Sequence, residues 1–302
     1  MKRTIGLIAN PNAARGRLVR EKENIAAWFH ENEIEVEWRM TERPRHAMAL
    51  AEEMTRAGWE EIVAAGGDGT AFETLNGILR SGRADRVHFG ILPMGTGNSF
   101  LRDFGIRDWR EAARRIRQGG TQRMDAGRIT LLDQPGEPEW FFHNMVGLGL
   151  IAEACRLRHT RYSFLRTFAY HAAFFNLLPF LKTYSLRMRL DDQEEQSMEC
   201  PLLAVCNSQY TGHDMRLSPS SRSDDGRMEI MYASPLSVSE LFRLFLQLPS
   251  GNHLQHPKVH LDSLNRLEVE MEGIGILMMD GEIFAGKRLY IEVLPGAWNL
   301  ML

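Results

Sequence analysis

Between residues 61 and 79 an apolar run, Ile62-Val63-Ala64-Ala65, breaks into Gly66-Gly67-Asp68-Gly69-Thr70 and passes directly into apolar residues at helical spacing. A strand that ends in glycines and hands over to a helix restricts what the chain can become. Glycine tolerates positive φ and lets a ligand come close to the main chain. The helix behind it offers N–H groups and a partial positive charge, which suit a phosphate. Thr70 and Glu73 stand at the spacing of a capping box, so the helix is predicted to run from Thr70 to Leu79. Asp68 repels a phosphate by like charge. It is expected instead to hold Mg²⁺ or the water around it.

The same rhythm surrounds this turn. Thr4 to Ala9 reads as a strand closed by the turn Asn10-Pro11-Asn12, Leu18 to His30 as a helix, and Ile34 to Trp38 as an alternating strand. Ala47 to Ala57 reads as a helix and Val87 to Leu92 as the next strand. Strand and helix in alternation predict a parallel sheet with helices on its faces. The strand at 87–92 runs into a second cluster, Pro93-Met94-Gly95-Thr96-Gly97-Asn98-Ser99. Both clusters then lie at the C-terminal edge of the sheet, where such sheets bind ligands. A tight turn explains either one alone, but two at equivalent strand ends point to a nucleotide cleft. Neither matches the P-loop or the G-x-G-x-x-G pattern.

Near residue 124 the pattern changes. Strand candidates follow at 127–132, 140–146, 185–190, 201–206, 227–232, 266–271, 275–279 and 288–293. Only two long helical patterns interrupt them, around 150–180 and 237–247. This predicts a mostly antiparallel β sandwich or flattened barrel. The 302 residues suffice for two domains.

Charge and composition narrow the partners. A net charge of −3 argues against nucleic acid. Cys155, Cys200 and Cys206 form no C-x-x-C pair, so reduced, buried thiols of a cytoplasmic protein are expected. The apolar run at 5–9 is too short for a signal peptide. The stretch at 169–181 contains His171, Asn176 and Pro179, and falls short of the ~20 apolar residues of a membrane span. From Cys155 to Leu190 there are arginines, Lys182 and many aromatic residues but no acid. Such a region either lies on an anionic bilayer or packs as a helix with snorkelling arginines. His143, His213, His253, His256 and His260 show no metal-ligand spacing and read as structural.

The chain resembles the diacylglycerol kinase and sphingosine kinase superfamily, above all its bacterial soluble lipid kinases. The resemblance rests on Asn10-Pro11-Asn12, the turn at 66–70 and the cluster at 93–98. It continues through Asp125, Asn144 with Gly147 and Gly149, Asn207 with Gly212, Asp224-Asp225-Gly226 and Asp280-Gly281-Glu282. It implies an α/β nucleotide-binding domain over 1–124 with the tail 295–302, NAD-kinase-like in its parallel sheet. A β-rich lipid-binding domain is implied over 125–294. By resemblance ATP would be contacted by Asn10, Pro11, Asn12, Thr41, Gly66, Gly67, Asp68, Gly69, Thr70, Ala71, Phe72, Gly95, Thr96, Gly97 and Asn98. Glu282 would be the general base with Asp280 beside it, and Asp68 and Asp125 would join a magnesium network. A structural Mg²⁺ would use Asp225 with main-chain oxygens of Arg222 and Arg227.

As bare patterns, 280–282 is equally a hairpin tip with solvated acids, and 223–227 a surface turn. Two departures stand out. Phe72 occupies a position where the family usually has Asn, and the first loop reads Asn10-Pro11-Asn12-Ala13-Ala14 in place of Asn-Pro-x-Ser-Gly. The implied function is ATP- and Mg²⁺-dependent phosphorylation of a diacylglycerol-like lipid hydroxyl, in a cleft between the two domains. The expected setting is cytoplasmic, with peripheral contact to an anionic membrane and homodimer formation both left open. The rival readings are a NAD kinase and a non-catalytic lipid or nucleotide sensor.

Overall fold

Strands β1 (Arg3–Ala9), β3 (Glu61–Gly66) and β4 (His88–Pro93) are almost wholly buried along their length, the pattern of parallel strands covered on both faces. Strand β2 (Ile34–Met40) mixes buried and exposed positions and takes the sheet edge. The order is β2-β1-β3-β4, followed by the end of the last strand, β18 (Arg288–Met301), and every pairing is parallel. These elements, with helices α1 (Arg17–Glu31), α2 (His46–Arg56), α3 (Asp68–Arg80) and α4 (Trp109–Gln118), form one compact unit of residues 1–124 and 296–302. Trp298 from β18 is buried in it against Phe89 and Phe100, with ring centroids 5.7 and 5.8 Å away. The computed structural model describes residues 3–95, 97–212, 215–273 and 275–302, without the side chains of Arg166 and Thr167. Thr96 and His213 lie outside the described residues.

Helix α3 opens at Asp68, ahead of the predicted Thr70, with Gly67 at its cap and no side-chain cap. Glu73 closes no capping box. Its carboxylate instead accepts hydrogen bonds from the N–H groups of Arg45 (2.9 Å) and Ala47 (3.1 Å), so it caps the start of α2. The Thr70 hydroxyl faces Asn10 Nδ2 at 3.4 Å. The chain does carry a capping box elsewhere, at Ser237 and Glu240.

Residues 125–295 form the second compact unit. Six antiparallel strands make one sheet: β14 (Val259–Leu264), β13 (Met228–Ala233), β10 (Leu202–Cys206), β7 (Met145–Gly149), β16 (Ile276–Met279) and β17 (Glu282–Ala285), in that order. A second antiparallel layer pairs the start of β18 with β15 (Arg266–Met271), then β8 (Tyr184–Leu190) and β9 (Gln196–Cys200). Strand β5 (Thr121–Leu131) joins this layer on β18 and pairs with β6 (Trp140–Phe142). A two-stranded ribbon of β11 (Tyr210–Thr211) and β12 (Met215–Arg216) stands apart. Helices α5 (Leu150–Thr160), α6 (Ala169–Leu177) and α7 (Val238–Gln247) complete the unit. The sequence reads 140–146 as one strand, but the structure breaks it after Phe142. At the break, the N–H groups of His143, Asn144 and Met145 turn toward the Asp280 carboxylate.

Two backbone positions in the first unit give predictions of opposite sign. A Cβ on Gly95 would stand 2.4 Å from the Cα of Gly67, a main-chain atom that cannot swing aside. Gly95→Ala should lower stability in urea by about 1–3 kcal/mol, while Gly275→Ala, with nothing within 4 Å of its Cβ, should leave it unchanged. Ala14 holds φ 46°, a left-handed conformation that costs a residue with a Cβ about 1 kcal/mol. Ala14→Gly should raise the urea midpoint, and a fall would refute strain at this loop.

Candidate active site

In the first unit the residues singled out by sequence meet at the C-terminal ends of four neighbouring strands. Asn10 follows β1, Thr41 follows β2, Gly66 ends β3 and the 94–98 cluster follows β4. The sheet order reverses at β1, whose neighbours are β2 and β3, so Asn10 and Gly66 flank the point where parallel sheets open a ligand crevice. The Asn10 N–H donates to Ala65 O at 3.0 Å, and its Oδ1 accepts from the Asn12 N–H at 3.0 Å. This Asx turn fixes the loop through Pro11.

The two glycine turns touch. Gly66 O accepts from the N–H groups of Met94 (2.8 Å) and Gly95 (3.0 Å). Gly66 has no room for a side chain, since a Cβ there would meet Thr70 Oγ1 at 2.2 Å. Asp68 Oδ1 accepts from the Ser99 N–H at 2.9 Å, and its other oxygen lies against Gly97. One carboxylate thus ties the two turns together. Asn98 sits at φ 51° and donates from Nδ2 to Gly95 O at 2.9 Å. Ala71 and Phe72 are 3% and 2% exposed, so their side chains belong to the core, while the Ala71 N–H donates to Gly67 O at 3.2 Å and Phe72 O accepts from Asn76 Nδ2 at 2.9 Å. Ser99, which closes the second cluster in the sequence, plays its part here through its main-chain N–H.

In the second unit Asp280 and Gly281 form the two-residue loop between β16 and β17, with φ 46° and 91° and Met279 paired across to Glu282. Positive φ at both positions is the type I′ hairpin, for which Asp-Gly is a favoured sequence. The hairpin reading holds, but its first acid is not solvated. Asp280 is 3% exposed. Its Oδ1 accepts from the N–H groups of Asn144 (3.0 Å) and Met145 (2.8 Å). Its Oδ2 accepts from the His143 N–H (2.9 Å) and lies 2.8 Å from His143 Nδ1. Both oxygens are consumed in holding the turn.

Gly281 O is held from the other side by the Cys155 thiol at 3.1 Å and His159 Nε2 at 2.8 Å, both from α5. Burial pushes the Cys155 thiol up to about 11, and the Glu282 charge pushes the same way, so the sulfur keeps its proton and donates it. Glu282 itself is half-buried at the start of β17. His143, Cys155 and His159 therefore belong to this site. The sequence held no sign of it, because more than a hundred residues separate each from the turn.

The expected metal residues also come together. The Asp125 N–H donates to Ser223 O (2.7 Å), and its Oδ2 accepts from the Gly226 N–H (2.7 Å). Asp225 Oδ1 accepts from the Arg227 N–H at 3.1 Å, and Arg222 pairs with Asp224 at 3.2 Å. Asn207 donates to Asp125 O (3.1 Å) and His143 O (2.8 Å), joining this loop to the base of the hairpin. Among the described residues no three acidic, histidine or cysteine side chains converge as a metal cluster.

Behind the hairpin lies a cavity of about 120 Å³ with walls from α5, α6, α7 and the six-stranded sheet, including Ile151, Phe174, Met231, Leu244, Phe245 and Met278. Its lining is almost entirely apolar. Met278 links it to the turn, since its sulfur accepts from the Gly281 N–H at 3.1 Å.

Comparison with known proteins places this geometry. Residues 4–129 match the diacylglycerol kinase catalytic domain, and residues 144–302 match the YegS C-terminal NAD kinase beta sandwich-like domain. The chain is 26% identical over 289 residues to a diacylglycerol kinase of Staphylococcus saprophyticus, covering 95% of this chain and 91% of that one. It is 27% identical to a diacylglycerol kinase of Staphylococcus haemolyticus, covering 95% and 84%. The crystal structure of a diacylglycerol kinase from Bacillus anthracis shares the fold, with a TM-score of 0.70 at 20% identity over 99% of this chain and 96% of that one. The parallel α/β unit, the antiparallel β-sandwich unit and these matches together make the chain a member of the bacterial diacylglycerol kinase-like lipid kinase superfamily.

Proposed function

We propose that this lipid kinase uses ATP and Mg²⁺ to phosphorylate the hydroxyl of a diacylglycerol or a closely related lipid alcohol, with Glu282 as the general base. The observation that carries the reading is the apolar cavity behind the Asp280–Glu282 hairpin, coupled to it through Met278. A lipid acceptor needs an apolar enclosure for its chains and one ionised acid for its hydroxyl. Asp280 has both oxygens occupied by the main chain and His143. It therefore acts as a positioning residue, and the work of accepting the proton falls to Glu282.

The donor side belongs to the first unit. The main chain around Gly66–Thr70 and at Gly95, Gly97 and Asn98 offers close approach for the phosphates, with Asn10, Pro11, Asn12 and Thr41 completing the nucleotide contacts. Phosphoryl transfer asks mainly for positioning and charge neutralisation. Mg²⁺ would neutralise phosphate charge beside Asp68. A second Mg²⁺ would be held by Asp225 with main-chain oxygens of Arg222 and Arg227, steadied by Asp125. Hard oxygens from one carboxylate and the main chain, completed by water, suit that ion. A NAD kinase would need many polar partners for its acceptor, whereas this lining offers only Tyr170, Thr211 and His253 among apolar side chains.

Two substitutions separate the roles. Glu282→Gln should lower kcat by about 10²–10⁴ while ATP affinity stays within about twofold. It should also erase the acidic limb of the pH–rate profile. Asp280→Asn puts an N–H group against main-chain N–H donors and should cost about 1.5–3 kcal/mol in thermal or urea unfolding. The pH limb should survive in that variant at reduced kcat. An unchanged melt together with a lost pH limb would exchange the two roles. The acceptor is identified by mass spectrometry of a total lipid extract incubated with enzyme, Mg²⁺ and labelled ATP. Phosphorylation of NAD and of no lipid would reject the reading.

A further inference from the structure

One side of helix α5 joins the cavity to the hairpin. Ile151, Cys155 and His159 follow one another at four-residue spacing, so they share that side. Ile151 lines the apolar cavity. Cys155 and His159, further along the helix, hold Gly281 O at 3.1 and 2.8 Å. That oxygen belongs to the peptide group joining Gly281 to Glu282. A glycine restrains its own dihedrals very little, so this peptide is oriented by whatever grips its oxygen. The N–H of Gly281 is gripped as well. It donates to Met278 Sδ at 3.1 Å, and Met278 lines the same cavity.

Tyr170 from α6 makes a second link. It lines the cavity, and its hydroxyl donates to the Cys155 sulfur at 3.7 Å. The Arg158 guanidinium lies over its ring, 4.9 Å from the centroid. A continuous path therefore runs from the cavity wall through Tyr170 Oη and Cys155 Sγ to Gly281 O. Cys155 is 0% exposed, and burial keeps its thiol protonated through the neutral range. The sulfur can thus accept from Tyr170 while it donates to Gly281 O. Hydrogen bonds to sulfur are weak, so both links depend on how firmly Tyr170 and Met278 are packed.

We propose that Cys155 and Tyr170 are positioning residues that couple the seating of the acceptor's apolar chains to the orientation of Glu282. The inference rests on the reading of Glu282 as general base, and it gives the cavity a part in turnover beyond binding. Side chains that line a void gain partner atoms when a ligand fills it. Chains packed against Tyr170 and Met278 steady both links to Gly281, and with them the peptide that carries Glu282. Binding energy from the unreactive part of the acceptor is then used at the group that takes the proton. An acceptor with chains too short to press on Tyr170 and Met278 loses kcat as well as affinity.

The test uses the full chain with dihexanoylglycerol and didecanoylglycerol in neutral detergent micelles. The wild-type kcat should be about tenfold higher for the longer acceptor. Cys155→Ala and Tyr170→Phe should each bring the two kcat values within about twofold, by lowering the higher one, while KM for ATP stays the same. Cys155→Ser keeps a donor for Gly281 O and should restore most of the difference. Tyr170→Phe removes one hydroxyl from an intact ring, so it should melt like the wild type and carries the result even where Cys155→Ala folds poorly. A second readout needs no turnover. Didecanoylglycerol should slow amide hydrogen exchange across residues 280–284 by about tenfold in the wild type and leave it unchanged in Tyr170→Phe. An equal chain-length dependence of kcat in wild type and variants, or hairpin exchange that ignores the lipid, would overturn the coupling. Hairpin protection that depends on Tyr170, in a protein that phosphorylates no lipid, would support the coupling and reject the lipid-kinase reading.

Discussion

The second unit turns on one carboxylate. Asp280 sits at the tip of a hairpin, where an acid ordinarily faces water, yet it is buried and takes three main-chain N–H groups from the break between β6 and β7. A buried carboxylate is tolerable only when its oxygens are satisfied, and here three main-chain N–H groups do so, with His143 Nδ1 2.8 Å from Oδ2. The consequence reaches along the chain in both directions. The strand expected at 140–146 has to split to present its N–H groups. Glu282, two residues further on, inherits a fixed position at the start of β17. In the proposed role of general base, a mobile Glu282 would lose the geometric advantage that proton transfer at a set distance provides.

The first unit is organised by contact between main chains. Gly66 and Gly95 let two strand ends approach until one carbonyl accepts from two successive N–H groups, and Asp68 bridges the turns through Ser99. The departures from the family pattern take on physical meaning here. Phe72 points into the core, so exchanging a polar residue for it changes packing under the turn before it changes any ligand contact. Ala14 stands where the pattern implied by the resemblance has Gly and holds φ 46°, so this loop carries strain that a glycine there would relieve.

Legibility followed sequence distance. The glycine turns, the alternation of strands and helices and the Asp-Gly hairpin are local, and local patterns are what a single sequence displays. The residues that give the hairpin its character are remote. His143, Asn144 and Met145 reach Asp280 across 135 to 137 positions, and nothing near Asp280 in the chain announces them. Glu73 misled for the same reason: its spacing to Thr70 is right, but the N–H groups of α2 compete for it in space and win. Helix α4 is hidden by its arginines, which mask the buried stripe of Trp109, Ala112, Ala113 and Ile116. Strand β9 is mostly exposed and polar, so it carries no apolar signature to read.

On the proposed reading, the choice of acceptor is made away from the hairpin. At the turn Asp280, Gly281 O, Cys155 and His159 are spent on holding it, and Glu282 is the proposed base. The cavity offers almost no polar surface. Discrimination among lipid alcohols then rests on the length and bulk of the apolar part, which a pocket of this kind reads only weakly, by about 1–3 kcal/mol per methylene-sized difference. An acceptor whose recognition required many buried hydrogen bonds would meet only Tyr170, Thr211 and His253 in an otherwise apolar lining, and would leave its remaining polar groups unpaired at a larger cost. The cavity is thus permissive toward chain composition and strict against polar acceptors. That asymmetry follows from the walls supplied by α5, α6 and α7, whichever lipid the enzyme meets first.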